Sequence, residues 1–480
     1  MGKRSRRMER KEKRLKRMKT VNGVLSTAAG GFGFVNAADG TEVFIPPSGM
    51  NGALDGDAVE TQITSERDER GPVGRVSRIL NRGREFMVCE LVDGHSARPL
   101  NRNIPTTIKI SGSLKGAKKG DWVKLRLLDS GSKYTESLRG AVEEPLEKAG
   151  TVYGDLLAVA REFDMPGPYS PEFETYAAKL QPSATVRRED LSNLFTVTID
   201  PKDAKDFDDA LSIEDGDKEW KIGVHIADVA AYVRPGTKLD REARRRAFSS
   251  YIPGMFRPML PRPLTQKISL RQDADSLAHT VLLTVRKRDG AITSARRTFS
   301  LIRVNRRLNY DEVQEFIDGT TPDTWTGELK TAVALLVRAT RKMRSRRKRR
   351  EEFLSFDTPE IRVLCDETTH EIQGIERREQ RESDELVEEC MLAANSAVAE
   401  EISIANFAGI YRIHPEPEPE KLDEFTLFVA ALLKRMPGDL TNRKVCNEFL
   451  DHLPDDHRKY VITANFLRAM ARASYSPDPG

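Results

Sequence analysis

Between Thr198 and Ala210 the chain reads Thr198-Ile199-Asp200-Pro201-Lys202-Asp203-Ala204-Lys205-Asp206-Phe207-Asp208-Asp209-Ala210. The alternation over Phe195–Ile199 predicts a strand that Asp200 closes, and Pro201 ends the pairing so that the chain can turn. Five aspartates then fall within ten residues. Like charges held together raise one another's pKa, so such a cluster is unfavourable unless cations offset it. A donor set made only of carboxylate oxygens favours Mg²⁺, with Mn²⁺ as a substitute, over zinc. Two such ions can activate a water and stabilise a leaving oxygen in phosphodiester hydrolysis. The plainer alternative is a solvated acidic loop or a calcium loop. An EF-hand fails on register, because counting from Asp206 puts Ala210 and Leu211 where an acid or amide and a glycine are required. Phe207 and Ala204 between strand-like flanks argue against a purely solvated loop.

The surrounding composition narrows the class. The 480 residues suit about three domains. The formal charge of +4 is unevenly placed: residues 1–20 hold eleven Lys/Arg against two Glu, a basic arm of +9, so the rest carries −5. A second basic run, 338–350, has nine Lys/Arg in 13 positions. Charge runs are usually solvated faces, although a nucleic acid partner would give both a phosphate to meet. No apolar run approaches the about 18 residues of a membrane span, and the charged N-terminus is unlike a secretory signal. Cys89, Cys365, Cys390 and Cys446 are too widely spaced for a C-x-x-C site. They read as free thiols of a cytoplasmic chain with no membrane partner.

Four segments are expected: the arm (1–20), a β module (21–66), a second β module (70–148) and a mixed α/β domain (149–480). In the first module Phe32 and Phe34 alternate and so share one strand face. Asp55-Gly56-Asp57-Ala58-Val59 is echoed by Lys119-Gly120-Asp121-Trp122-Val123, suggesting two related modules in tandem. Further on, Trp220–Ile226 reads as a strand, Asp240–Phe248 as a helix, and Ala278–Arg286 with Ile292–Ile302 as a hairpin across Asp289-Gly290. Residues 324–350 and 382–402 have helical periodicity.

The aspartate segment resembles the signature of the ribonuclease II/ribonuclease R family of 3′→5′ exoribonucleases. The likeness continues through His225-Ile226-Ala227-Asp228-Val229, Leu239-Asp240-Arg241-Glu242-Ala243, Tyr251-Ile252-Pro253-Gly254, Pro258-Met259-Leu260-Pro261 and Arg307-Leu308-Asn309-Tyr310. It extends through Glu388-Glu389-Cys390-Met391-Leu392-Ala393-Ala394-Asn395 and Tyr411-Arg412-Ile413-His414 to Ala473-Ser474-Tyr475-Ser476. The Tyr251 stretch looks closer to the ribonuclease II branch. The N-terminal modules resemble cold-shock domains, with Gly31-Phe32-Gly33-Phe34-Val35 and Val43-Phe44-Ile45 where that fold carries its RNA-binding strands.

The resemblance implies a multidomain fold of two cold-shock-like OB barrels followed by an α/β catalytic domain. It implies a Mg²⁺-dependent hydrolytic exoribonuclease, acting as a monomer on single-stranded RNA and releasing nucleoside 5′-monophosphates. Asp200, Asp206, Asp208 and Asp209 match the signature carboxylates as catalytic and metal-binding residues. Asp200 and Asp209 are then the direct ligands and Asp208 the most sensitive position. Asp203 falls where the family needs none. Tyr251, Phe356 and Tyr310 match aromatics of the RNA channel, where a stacked base gains about 1–3 kcal/mol whatever its identity. Core packing is the alternative for each. Phe32, Phe34 and Phe44 would bind RNA on the first barrel, and Glu389 or Glu388 would meet a ribose, though both glutamates also fit an exposed helix face. His225, Asp228 and His414 read as structural. The resemblance also implies that the catalytic domain continues past the segment matching Ala473–Gly480, into an arginine-bearing segment and an OB-type domain, so the chain is expected to be a fragment. A non-catalytic RNA-binding protein, and more remotely an endonuclease or phosphatase, remain as alternatives.

Overall fold

A computed structural model describes residues 19–28, 30–65, 71–101, 104, 107–128, 138–350, 354, 360–366, 369 and 371–479. Nearly all of the basic arm, and Phe356, lie outside these residues. The described chain divides into two compact units. One runs to Pro168 and includes Ser249–Arg257 and Leu364–Gly374; the other holds Tyr169–Phe248, Pro258–Val363 and Ile375–Gly480.

In the first unit, short alternating strands close two barrels. β1 (Thr20–Thr27), β2 (Gly33–Ala37), β3 (Glu42–Ile45), β4 (Ala58–Ser65) and β5 (Val73–Asn81) form the first, in the order β1-β2-β3-β5-β4. Val35, Val43, Ile45, Val59 and Val76 fill its interior. The period of two sends Phe34 and Phe44 outward, where they face each other across β2 and β3 with centroids 5.5 Å apart. Phe32 joins them at 5.7–6.0 Å. The second barrel takes β6 (Phe86–Leu91), β7 (Ser96–Pro99), β8 (Ile108–Ile110), β9 (Asp121–Leu128) and β10 (Arg139–Lys148). This corrects the expected boundary between the modules. Val73–Asn81 does not open the second barrel but closes the first, pairing with β4 and touching β3 at Phe44↔Val73. A barrel needs that last strand to leave no edge unpaired.

The sequence echo has a physical basis. Gly56 and Gly120 both adopt left-handed φ angles, 82° and 86°. Asp57 and Asp121 each accept a hydrogen bond from the backbone N–H three residues earlier, Leu54 at 2.8 Å and Lys118 at 2.7 Å. The same turn therefore launches β4 and β9. Asp57 is fully buried and also takes Arg82 at 2.7 Å and the Gly83 N–H at 2.9 Å. α1 (Val152–Glu162) packs on the second barrel, held by the Trp122 indole donating to Asp155 at 2.7 Å.

The second unit is built on a six-stranded sheet, ordered β11-β18-β12-β13-β14-β17 and closed by β17 against β18. Its strands are β11 (Glu189–Asp190), β12 (Thr196–Asp200), β13 (Asp209–Asp215), β14 (Glu219–Ala227), β17 (Asp275–Arg286) and β18 (Ile292–Asn309); the hairpin β15 (Ser250–Ile252) and β16 (Met255–Arg257) belongs to the first unit. One apolar cluster is made with α2 (Pro171–Ala178), α3 (Lys238–Arg246) and α4 (Arg262–Ile268), through Ala177, Leu239, Leu264 and Ile268. Another cluster packs Val197, Leu211, Ile222 and Val224 with α5 (Tyr310–Ile317), α6 (Gly327–Arg349) and α7 (Glu382–Ile404). α8 (Pro419–Leu433), α9 (Arg443–Asp451) and α10 (His457–Ala469) form a further cluster around Phe425, Phe449 and Phe466.

Candidate active site

β12 is buried along its whole length, so Asp200 at its end is carried into the protein with only 8% exposure. Its Oδ2 has no hydrogen-bond partner. After Pro201 the chain makes a turn, Ala204 N–H donating to the Pro201 carbonyl at 3.0 Å. Phe207 then pins the loop. Its ring packs in the apolar cluster of α2–α4, its N–H donates to Ser269 Oγ at 3.2 Å, and its carbonyl accepts from Leu270 N–H at 2.8 Å. The loop rejoins the sheet at Asp208, whose carbonyl accepts from Ala227 N–H at 2.8 Å, and Asp209 opens β13 opposite Ile226. A strand end, a pinned phenylalanine and a strand start thus deliver the carboxylates to one end of the sheet.

Their electrostatics follow from that crowding. Burial, and then the neighbouring Asp209, push the Asp200 carboxyl up to about 7. Burial and then Asp208 push Asp209 up to about 6. Asp208 is open to solvent on one side, yet the protein behind it and the Asp206 carboxylate still raise it, with water free to damp the effect. Asp203 points elsewhere, into an ion pair with Arg362.

A second strand completes the site. β12 pairs in parallel with β18, placing Asp200 beside Asn309. Asn309 caps α5 in a reciprocal capping box with Glu312, so the helix begins at Tyr310. Burial, then Asp209, Asp384 and Asp200, push the Tyr310 hydroxyl up to about 12. The Arg378 guanidinium lies 5.7 Å from the Tyr310 ring and is tied to Asp384 at 2.6 Å. Arg307 donates to the carbonyls of Lys202 (3.2 Å) and Ala204 (3.4 Å) and lies 4.4 Å over the Phe207 ring. Sequence reasoning gave Arg307, Arg378 and Asp384 no role; Arg307 lay inside a quoted motif, but only the β12–β18 pairing shows what it holds.

Other expectations fare differently. Tyr251 sits on the β15–β16 hairpin, 75% exposed and 4.9 Å from the Phe256 ring. Glu389 is not on an exposed helix face: it is 2% exposed and ion-paired with Arg347 at 2.8 Å, because its position on α7 faces α6. Glu388 is exposed and accepts from Gln380 at 2.6 Å. His225 is buried between Ser212 (2.9 Å) and Thr280 (2.8 Å), and burial pushes it down to about 4. Asp228 binds Arg188 at 2.6 Å and caps the turn at Ala231, a structural role as expected. His414 is exposed beside the Pro415 carbonyl. The four cysteines are unpaired. No helix among the described residues is long and apolar enough to cross a membrane.

Among the described residues no three acidic, histidine or cysteine side chains converge into a ready-made cage for one ion. Mg²⁺ does not require one. It keeps several waters and is held by one or two carboxylates together with substrate phosphates. The unpartnered Asp200 oxygen beside Asp209 suits that mode of binding.

Residues 188–480 match the RNB domain, and residues 23–79, covering most of the first barrel, match the ribonuclease B OB domain. The chain belongs to the RNB family. It is 31% identical to ribonuclease R of Aquifex aeolicus over 95% of this chain and 66% of that protein. It is 30% identical to ribonuclease R of Thermotoga maritima over 94% and 65%. The chain thus spans just under two thirds of the length of these two relatives. Both carry the ribonuclease R name, so the Tyr251 stretch does not by itself sort this RNB chain into the ribonuclease II branch. The fold matches Mycoplasma genitalium RNase R in complex with ribose methylated single-stranded RNA, with a TM-score of 0.87 at 22% identity, covering 96% of this chain and 74% of that one. It also matches yeast Ssd1, described as a pseudonuclease, with a TM-score of 0.70 at 16% identity, covering 99% and 65%. The RNB fold therefore occurs in proteins described both as nuclease and as pseudonuclease, and function has to be argued from the site.

Proposed function

We propose that this RNB chain is the catalytic part of a 3′→5′ exoribonuclease that hydrolyses single-stranded RNA to nucleoside 5′-monophosphates with Mg²⁺, Mn²⁺ serving as a substitute. The observation that carries the proposal is the buried, unpartnered Asp200 oxygen beside Asp209, at the end of a sheet of RNB type. Asp200 and Asp209, with Asp206 and Asp208 at the rim, are the residues to hold the ion. Bound there, a divalent cation would offset the carboxylate charge and stabilise charge developing on the phosphodiester. Asp208, reachable from solvent, orients the attacking water as a hydrogen-bond acceptor. Arg307 keeps the loop carbonyls, and with them the carboxylates, in place. Tyr310, half-buried among Asp200, Asp209 and Arg378, borders the reacting phosphate.

RNA binding falls to aromatics that need no particular base. Tyr251 offers an exposed ring, and Phe32, Phe34 and Phe44 offer a joined aromatic patch on the outer face of the first barrel. Glu389, locked to Arg347, supports α6 against α7 rather than meeting a ribose. A monomer, as the resemblance implies, acting in the cytoplasm, where free thiols persist, completes the reading. A 5′-labelled single-stranded RNA incubated with the protein and Mg²⁺ should shorten stepwise and release 5′-monophosphates. RNA that is bound but never shortened would establish the non-catalytic alternative instead.

A further inference from the structure

The basic run at 338–350 lies on α6, and the structure sorts its charges. Arg341, Arg344 and Arg347 pair with Glu382, Glu385 and Glu389 of α7, one rung per turn. Arg346 faces Asp289 at 3.7 Å, and Lys348 faces Asp451 at 3.3 Å. Arg338 and Lys342 form no ion pair among the described residues. With Arg341 and Ser345 they occupy positions i, i+3, i+4 and i+7, a single helix face.

That face, with Lys287 and Trp220, lines a cavity of about 370 Å³. Every charged residue lining it is cationic. Trp220 is 2% exposed and forms the floor, with Lys287 Nζ 5.7 Å and Arg338 Cζ 5.9 Å from its ring centroid. Two of the four cations are already matched, Lys287 by Asp215 at 2.5 Å and Arg341 by Glu382. The excess is two positive charges.

We propose that this cavity is a second phosphate-binding site, remote from the aspartates, that holds the backbone of the RNA. Arg338 and Lys342 lie within one helical turn and have no close ion-pair partner, although Arg338 shares the field of Asp215 with Lys287. The net excess of positive charge, including a guanidinium able to bind two oxygens, suits phosphodiester groups. The tryptophan is buried as a floor and leaves no open ring face for a base, so the contact would position RNA without reading its sequence. The cavity stands well away from the aspartates. Along the β13–β14 pair, Asp209 is opposite Ile226 and Asp215 opposite Trp220. Six residues at about 3.3 Å each separate the two ends by about 20 Å. At about 3.4 Å per stacked nucleotide, an RNA needs about six nucleotides to reach from one to the other.

The inference rests on the proposed RNA substrate, and its test separates the two. Affinity for a single-stranded 20-mer and for a trinucleotide is measured in EDTA across a salt series, for the wild type and for Arg338→Gln/Lys342→Gln. The variant should bind the 20-mer about tenfold more weakly at low salt, with a salt slope shallower by about 1.4, the value for two lost phosphate contacts on a single strand. Its trinucleotide affinity should be unchanged. In the wild type, which avoids any folding defect of the variant, the 20-mer should shield Lys287 and Lys342 from an amine-reactive reagent, and inorganic phosphate at equal phosphate concentration should not. Trinucleotide binding with an unaltered 20-mer slope would overturn the second site alone. So would equal shielding by inorganic phosphate, which would mark a small-anion site. Absence of any RNA binding would overturn the proposed function as well.

Discussion

The Arg307 guanidinium lies 4.4 Å over the Phe207 ring and at the same time donates to the carbonyls of Lys202 and Ala204. One side chain on β18 thus braces the loop between Asp200 and Asp208. Arg307→Ala should weaken Mg²⁺ binding as well as lower the cleavage rate, because the carboxylates lose their support while their identities are kept. Arg307→Lys keeps a charge but not the planar fork, and should recover only part of the loss. Weaker Mg²⁺ affinity by calorimetry together with a little-changed unfolding midpoint in EDTA distinguishes this positioning role from a general loss of fold.

The raised carboxyls of Asp200 and Asp209 make stability depend on pH and metal together. Their folded pKa values, about 7 and about 6, lie above the unfolded value of 3.8. Each therefore contributes stability that is present below about pH 4 and lost as pH rises through about 6 to 7. On the proposed function Mg²⁺ is held by the deprotonated pair, and it should then raise the thermal midpoint near pH 8 and do little near pH 5. Asp200→Asn should raise the Mg²⁺-free midpoint near pH 8 and abolish the Mg²⁺-dependent rise. Differential scanning fluorimetry across pH reads both effects.

Asp57 carries a different load. Fully buried, it takes Arg82, the Leu54 N–H and the Gly83 N–H, joining the turn before β4 to the end of β5. Asp57→Ala strands the mostly buried Arg82 charge and two backbone donors, and should cost about 3–5 kcal/mol. Denaturant unfolding would measure it, and the Mg²⁺ affinity of the aspartate site should stay as it was.

Much of this was readable in advance because it is local. The period of two in Phe32-Gly33-Phe34-Val35 placed the aromatics on one face, and the Asp289-Gly290 turn announced the β17–β18 hairpin. Phe207 between the aspartates argued against a purely solvated loop, and its ring is packed in the apolar cluster. What stayed hidden depends on distant pairing. Val73–Asn81 alternates like any strand, and nothing in that alternation says which barrel it closes. Asp200 and Asn309 are neighbours only through a parallel register formed across more than a hundred residues. Helical periodicity around Glu389 identified a helix but could not say that Arg347 of another helix would cover it.

The central claim is that these carboxylates cleave RNA. The most direct measurement compares the wild type with Asp208→Asn on a 5′-labelled single-stranded RNA, with Mg²⁺ and with EDTA, recording shortening and binding on the same samples. The account predicts stepwise 3′ shortening by the wild type in Mg²⁺ alone, and by the variant none, with RNA affinity in EDTA retained. Equal shortening by Asp208→Asn, or shortening by the wild type that persists in EDTA, would contradict it.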